Sequence, residues 1–249
     1  KYNIKNLGCR DSVRSGIDWF FKDNQFGIIL EDDCLPSKSF FEFCNKINEI
    51  YKNNEKIYAI SGSNFYNKET KYDYFYSKYN HCWGWATWKR AWKYYDNNLT
   101  FLNKFTQSYQ WKLLHENKTE RRFWEKIFNR VKEKKIDSWA YAWTYSVWKK
   151  NALTVIPKKN LIKNIGFDIS ATNSIKNEKK HLKTYLTVFK KKFKRPPILT
   201  PLKSNDIYVF NNHFRGKYAL WPWIIIKVLK LAISNPKIFI IKTKRALLF

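Results

Sequence analysis

A chain of 249 residues with 48 Lys and Arg against 20 Asp and Glu carries a formal net charge of +28, and 44% of it is hydrophobic. Twelve Trp, sixteen Tyr and nineteen Phe exclude a disordered basic tail, and the length suits one large domain or two small ones. No apolar run reaches the roughly 18 to 20 residues that span a bilayer, which excludes a simple transmembrane protein.

Taken in order, the pattern predicts a helix over Asp11 to Asp23, with Val13, Ile17, Phe20 and Phe21 on one side. Asn24 and Gln25 break it, and Phe26 to Leu30 is a short apolar run typical of a buried strand. Glu31-Asp32-Asp33 follows, then Cys34-Leu35-Pro36. Ser37 or Ser39 caps a second helix over Lys38 to Tyr51, where Phe40, Phe43, Ile47 and Ile50 recur at helical spacing. Strands are predicted over Lys56 to Ile60 and Tyr72 to Tyr79. An aromatic helix is predicted over Gly84 to Tyr95, with Trp88 and Trp92 on one core-facing side. Charged and aromatic helices follow over Thr119 to Lys134 and Ser138 to Lys149, then a strand over Leu153 to Ile156. Alternating strands and helices argue for a layered α/β domain. A strand is also predicted over Asp206 to Phe210, and basic helices over Tyr218 to Phe249.

Cys9, Cys34, Cys44 and Cys82 form no CxxC pair and are read as reduced thiols. No signal-peptide pattern is present at the N-terminus. The expected location is therefore cytoplasmic, peripheral at the inner face of the cell membrane. The charge is uneven: from Ile175 onward there are 18 basic residues and two acidic ones, Glu178 and Asp206. Part of this reflects a chain rich in Lys, Asn and Ile. The concentration still points to an anionic partner.

The acidic triplet directly follows a buried strand, where open α/β sheets bind ligands. Carboxylates there suit Mg²⁺ or Mn²⁺, which share their coordination with water and substrate phosphates. The bland alternative is a solvated acidic turn.

The surrounding blocks shift the balance toward the metal site, none of them decisive alone. Asn6-Leu7-Gly8-Cys9-Arg10, Val13-Arg14-Ser15-Gly16-Ile17 and Gly27-Ile28-Ile29-Leu30-Glu31-Asp32-Asp33 resemble the core of GT-A fold glycosyltransferases. The resemblance is to the N-acetylglucosaminyltransferase I family and related bacterial nucleotide-diphospho-sugar transferases. It continues through Leu35 to Cys44, Ile60-Ser61-Gly62-Ser63-Asn64, His81 to Trp88, and Asn160 to Phe167, covering about residues 6 to 172.

This resemblance implies a GT-A-like mixed sheet flanked by helices over residues 1–174, a basic linker over 175–205, and a C-terminal strand with amphipathic basic helices over 206–249. With the start at Lys1 and thirty residues before Glu31, the expectation is a core lacking its first nucleotide-binding strands. By position, Asp33 is the metal ligand, and Glu31 and Asp32 contact the donor. Arg14 and Arg10 are each a donor contact or a surface charge. Trp83 and Trp85 are sugar contacts or core residues, with Gly84 letting the backbone approach the ligand; His81 is a weaker candidate. Asp137 is the general base, a helix N-cap, or both. Two departures stand out: Ala140 and Ala142 where relatives often place an acid near Trp143, and Asn173 where they often show His. The implied activity is transfer from a nucleoside-diphosphate-sugar, a UDP-sugar, to a glycan or lipid-linked acceptor, with Mn²⁺ or Mg²⁺ and inverting stereochemistry.

Three other readings compete. A basic nucleic-acid-binding protein would suit the interleaved aromatics, but no recognition motif is present, so no nucleic-acid partner is expected. A metal-dependent nuclease or phosphatase would need more acids than the chain offers. A membrane-surface adaptor would use the Trp221-Pro222-Trp223-Ile224-Ile225-Ile226-Lys227 segment and later lysines on anionic lipid, which is compatible with the transferase reading.

Overall fold

Short apolar strands build the centre of the molecule, those over 57–61, 74–77, 85–88 and 153–157 buried along their whole length. The computed structural model describes residues 5–66, 68, 70–166, 193–216, 223–236 and 239. Strands β1 (Phe26–Ile29), β3 (Ile57–Ser61), β4 (Tyr74–Ser77), β5 (Trp85–Trp88) and β6 (Leu153–Pro157) form one sheet in the order β1-β5-β3-β6-β4. Only β3 and β6 pair in parallel; the other three pairings are antiparallel. A small second sheet joins β2 (Cys34–Pro36) to β7 (Ile162–Asn164).

Helices cover both faces, so the chain is a mixed α/β protein. On one side α2 (Lys38–Tyr51) lays Phe40, Phe43 and Ile47, all fully buried, against Ile60, Ala86 and Val155. On the other lie α1 (Gly8–Phe20), α3 (Lys89–Trp92), α4 (Leu102–Thr106), α5 (Tyr109–Leu114), α6 (Lys118–Lys132) and α7 (Trp139–Lys149). Amphipathic α6 turns Trp124, Phe128 and Val131 inward, and its N-cap Asn117 accepts the Thr119 amide at 2.7 Å. Burying one such aromatic face contributes several kcal/mol in total, at roughly 1.5–3 kcal/mol per large side chain.

Two predicted elements are corrected. Gly84 to Tyr95 is not one helix: Trp85–Trp88 is the interior strand β5, followed by the single turn of α3. With both faces covered, the strand reads as a continuous apolar run, which periodicity alone does not distinguish from a helix. Trp88 and Trp92 are both buried but on opposite sides of the sheet. Trp88 donates to Asn48 Oδ1 of α2 at 2.7 Å, and Trp92 to Asp18 Oδ1 of α1 at 2.8 Å. Nor is Asp206 to Phe210 a strand. Residues Lys203–Tyr208 form α8, continued by a π-helical turn over Val209–His213. Ile207 of that apolar run is exposed, while Asp206 is buried.

Residues 193–202 run alongside β4: Phe193 packs on Phe43 and Tyr74, the Lys194 amide donates to Asp73 at 2.8 Å, and the Leu202 amide donates to Tyr76 O at 2.8 Å. Helix α9 (Trp223–Ser234) lies in the predicted C-terminal helical region. Phe167, Asn173, Trp221 and the lysines from Lys237 to Lys244 fall outside the described residues, as does most of the predicted linker. No disulfide links the four cysteines. Among the described residues, no helix is long and apolar enough to cross a membrane.

Candidate functional site

Strand β1 stops at Ile29, and the acidic triplet turns the chain into β2, the Cys34 amide donating to Glu31 O at 3.0 Å. Pairing with β7 sets Cys34 opposite Asn164, so residues far apart in sequence fix the Asp33 carboxylate. Asn164 Nδ2 donates to Asp33 Oδ2 at 3.0 Å, and the Ile165 amide donates to the Asp33 carbonyl at 2.8 Å. The Cys34 thiol contacts the other carboxylate oxygen at 3.3 Å. Gly166 leaves room for this arrangement: a Cβ there would sit 2.5 Å from Asp33 Oδ2. Asp32 is exposed.

Glu31 is held from the opposite direction. The indole N–H of Trp139, at the start of α7, donates to Glu31 Oε1 at 3.0 Å. Burial pushes the Glu31 carboxyl above its ordinary pKa; the Trp139 bond pulls against that rise, and the charges of Asp33 and Asp32 add to it. Trp139 is itself stacked on Trp85, with ring centroids 5.3 Å apart. Trp85 is 1% exposed, so it is a core support for the acidic loop and presents no surface to a sugar.

The β1–β5 register pairs Ile29 with Trp85, which brings Trp83 and Gly84 beside Leu30 and Glu31. Gly84 has φ +61°, a conformation that favours glycine, and a Cβ there would lie 2.4 Å from Ile162 Cδ1. The close approach at Gly84 is thus to the side chain of Ile162 of β7. Trp83 is half-buried and meets Phe65 at 5.3 Å and His213 at 6.1 Å between ring centroids. Its carbonyl accepts the Ser63 hydroxyl at 2.8 Å. His81 is buried behind this wall, 4.5 Å from the Phe65 ring; burial, and then His213, lower its pKa well below the ordinary value. Phe65 and His213 were not legible as site residues. His213 arrives on the π-helical turn about 130 residues after Trp83, and such turns are frequent at functional sites.

Asp137 accepts the amides of Cys9 at 3.0 Å and Arg10 at 3.3 Å. It therefore caps the N-terminus of α1, whose own N-cap Leu7 supplies no side-chain bond, and the N-cap of α7 is Ser138. Burial raises the Cys9 thiol, and the charges of Glu31 and Asp137 raise it further. Arg10 is buried: its guanidinium donates to Asn97 Oδ1 at 2.8 Å, to Val131 O at 3.0 Å and to the Asn97 carbonyl. Arg10 is thus neither a surface charge nor aimed at the acidic loop; it ties α1 to α6. Arg14 pairs with Asp18 one turn on, at 3.3 Å, half-exposed.

Among the described residues no three His, Cys, Asp or Glu side chains converge as a metal-ligating set. A hard cation held by one or two carboxylates, with phosphate and water in its other positions, does not require such a set, and the donor chemistry of Asp33 fits it. No protein-family model matches the chain, and no curated protein matches it either.

Proposed function

We propose that this chain is a metal-dependent glycosyltransferase of GT-A type that binds a nucleoside-diphosphate-sugar at the Glu31–Asp33 loop. The sugar passes, with inversion on the resemblance, to a glycan or lipid-linked acceptor in cell-surface polysaccharide synthesis. The observation that carries the reading is the presentation of Asp33 at the end of β1, oriented by Asn164 and given clearance by Gly166. Asp33 would hold Mn²⁺ or Mg²⁺, whose chemistry when bound is to neutralise the diphosphate and ease its departure. Asp32, exposed, and Glu31, tethered by Trp139, contact the ribose and sugar. Trp83, with Phe65 and His213, offers an aromatic wall to an apolar sugar face. Asp137 remains the proposed base: each of its oxygens keeps a lone pair beyond the amide it accepts.

The test is calorimetric titration of the chain with UDP, with and without Mn²⁺, repeated on Asp33→Ala. The expected result is Mn²⁺-dependent binding weakened at least about tenfold by the substitution, a difference of about 1.4 kcal/mol. Equal UDP affinity in both proteins would sink the assignment.

A further inference from the structure

Helix α9 exposes Ile225, Leu229 and Ile233, the last of them 83% exposed. Residues four apart advance by only about 40° around a helix, so the three fall in one narrow stripe. Lys230 is exposed on the same helix. Isolated apolar residues on a surface are ordinary, whereas an aligned exposed stripe marks a contact face.

Charge identifies what covers it. After Asp206 the sequence contains eight basic residues and no acidic one. The occupant must therefore supply both an apolar phase and negative charge. A second copy would bring the same positive charge against itself, in a chain whose net charge is +28. Nucleic acid supplies the charge, but it engages protein through phosphates and base stacking on aromatics, not through an aliphatic stripe. An anionic lipid surface supplies both. At 1.5 Å per residue, the 12 residues of α9 span about 18 Å, well short of the roughly 30 Å hydrocarbon core, so the helix would lie in the interface plane.

We propose that α9 is a membrane-surface anchor: Ile225, Leu229 and Ile233 enter the headgroup–acyl boundary of an anionic leaflet, and the basic residues after Asp206 supply the attraction to its phosphates. This does not depend on the transferase reading, and its test does not involve UDP or Mn²⁺.

The full chain is sedimented with vesicles of phosphatidylcholine alone and of phosphatidylcholine mixed with phosphatidylglycerol, beside the triple variant Ile225→Ser, Leu229→Ser, Ile233→Ser. Expected is binding on the order of a hundredfold tighter to the anionic vesicles, weakened by salt. The triple variant should lose at least about tenfold of it while melting at the wild-type temperature. Equal sedimentation of wild type and variant overturns the proposal, as does equal binding to neutral vesicles. A lowered melting temperature in the variant would show that the stripe packs on the body. Light scattering that finds a wild-type dimer and a monomeric variant would assign the stripe to a second copy. Binding to a single-stranded RNA oligonucleotide that falls equally in the variant would assign it to nucleic acid.

Discussion

Replacing Glu120 by Gln removes one buried charge from the point where α6 meets the end of β4. Glu120 Oε1 lies 2.9 Å from Lys78 Nζ and 3.3 Å from His115 Nδ1, and it also accepts the Tyr79 hydroxyl. Lys78, 7% exposed, has Leu114 O at 2.9 Å as a further acceptor. Burial alone would raise the Glu120 carboxyl, but the His115 bond and the Lys78 charge together hold it down at about 2, against an ordinary 4.5. A gap of that size corresponds to on the order of 3 kcal/mol, at about 1.36 kcal/mol per unit. It is fully present above pH 4.5 and lost as pH falls toward 2. Breaking a buried pair by removing one partner costs about 3–5 kcal/mol, and a domain's whole stability is roughly 5–15 kcal/mol. Urea denaturation of Glu120→Gln at pH 7 should therefore show a loss of about 3 kcal/mol, with a shallower fall in stability below pH 4.5. Adding Lys78→Met should recover much of the loss, because no unpaired charge then remains buried. A cost below about 1 kcal/mol with the acid limb unchanged would refute this account of the network.

Asp206 titrates in the opposite sense to its neighbours. Burial raises its carboxyl to about 6 despite the Lys78 charge and the Ser77 hydroxyl at 2.6 Å, so stability declines as pH rises from about 3.8 to 6. Burial lowers His115 to about 4, so its contribution declines as pH falls from 6.5 to 4. The wild-type stability profile should be nearly flat between these limits, and Asp206→Asn should expose the His115 slope; an unchanged profile would count against both assignments. Trp85→Ala should cost about 3–5 kcal/mol in urea titration, whereas Trp83→Ala should leave stability within about 1.5 kcal/mol and weaken acceptor saturation. Equal destabilisation by the two would show that Trp83 is core as well. Gly166→Ala should shift the Asp33 carboxylate, weakening Mn²⁺-dependent UDP binding; retained affinity would show that the loop tolerates displacement.

What the sequence made legible was what short range determines. Helix α2 follows the predicted Lys38 to Tyr51 because its apolar spacing is a local signal; the expected serine cap is not made, since Ser37 holds the N-cap position without a side-chain bond and Ser39 lies inside the helix. The acidic triplet was legible for the same reason, since three consecutive acids after an apolar run need no tertiary information. Strand β5 was not, because a strand buried on both faces shows no alternation. Asn164 lies 131 residues from Asp33, and only the β2–β7 pairing brings them together. The bonds made by Arg10 and Asp137 were hidden for a related reason. Each has residue chemistry suited to a ligand, and each has been drawn into structural bonds by partners that local spacing cannot reveal.

The aromatic content has a consequence for the site that composition alone does not convey. Trp85, Trp139 and Glu31 form a continuous line from the sheet interior to the acidic loop. Because Trp139 is enclosed, its indole N–H has little freedom, and the bond to Glu31 fixes one end of the triplet. Asn164 and Gly166 fix the other end. Between them Asp32 is exposed to solvent. The loop is thus clamped at one end by helix α7, backed by Trp85 of β5, and at the other by the β2–β7 sheet and the turn after it. A change in core packing at Trp85 should therefore reach the acidic loop through Glu31, while leaving the Asp33 end on its β2–β7 support.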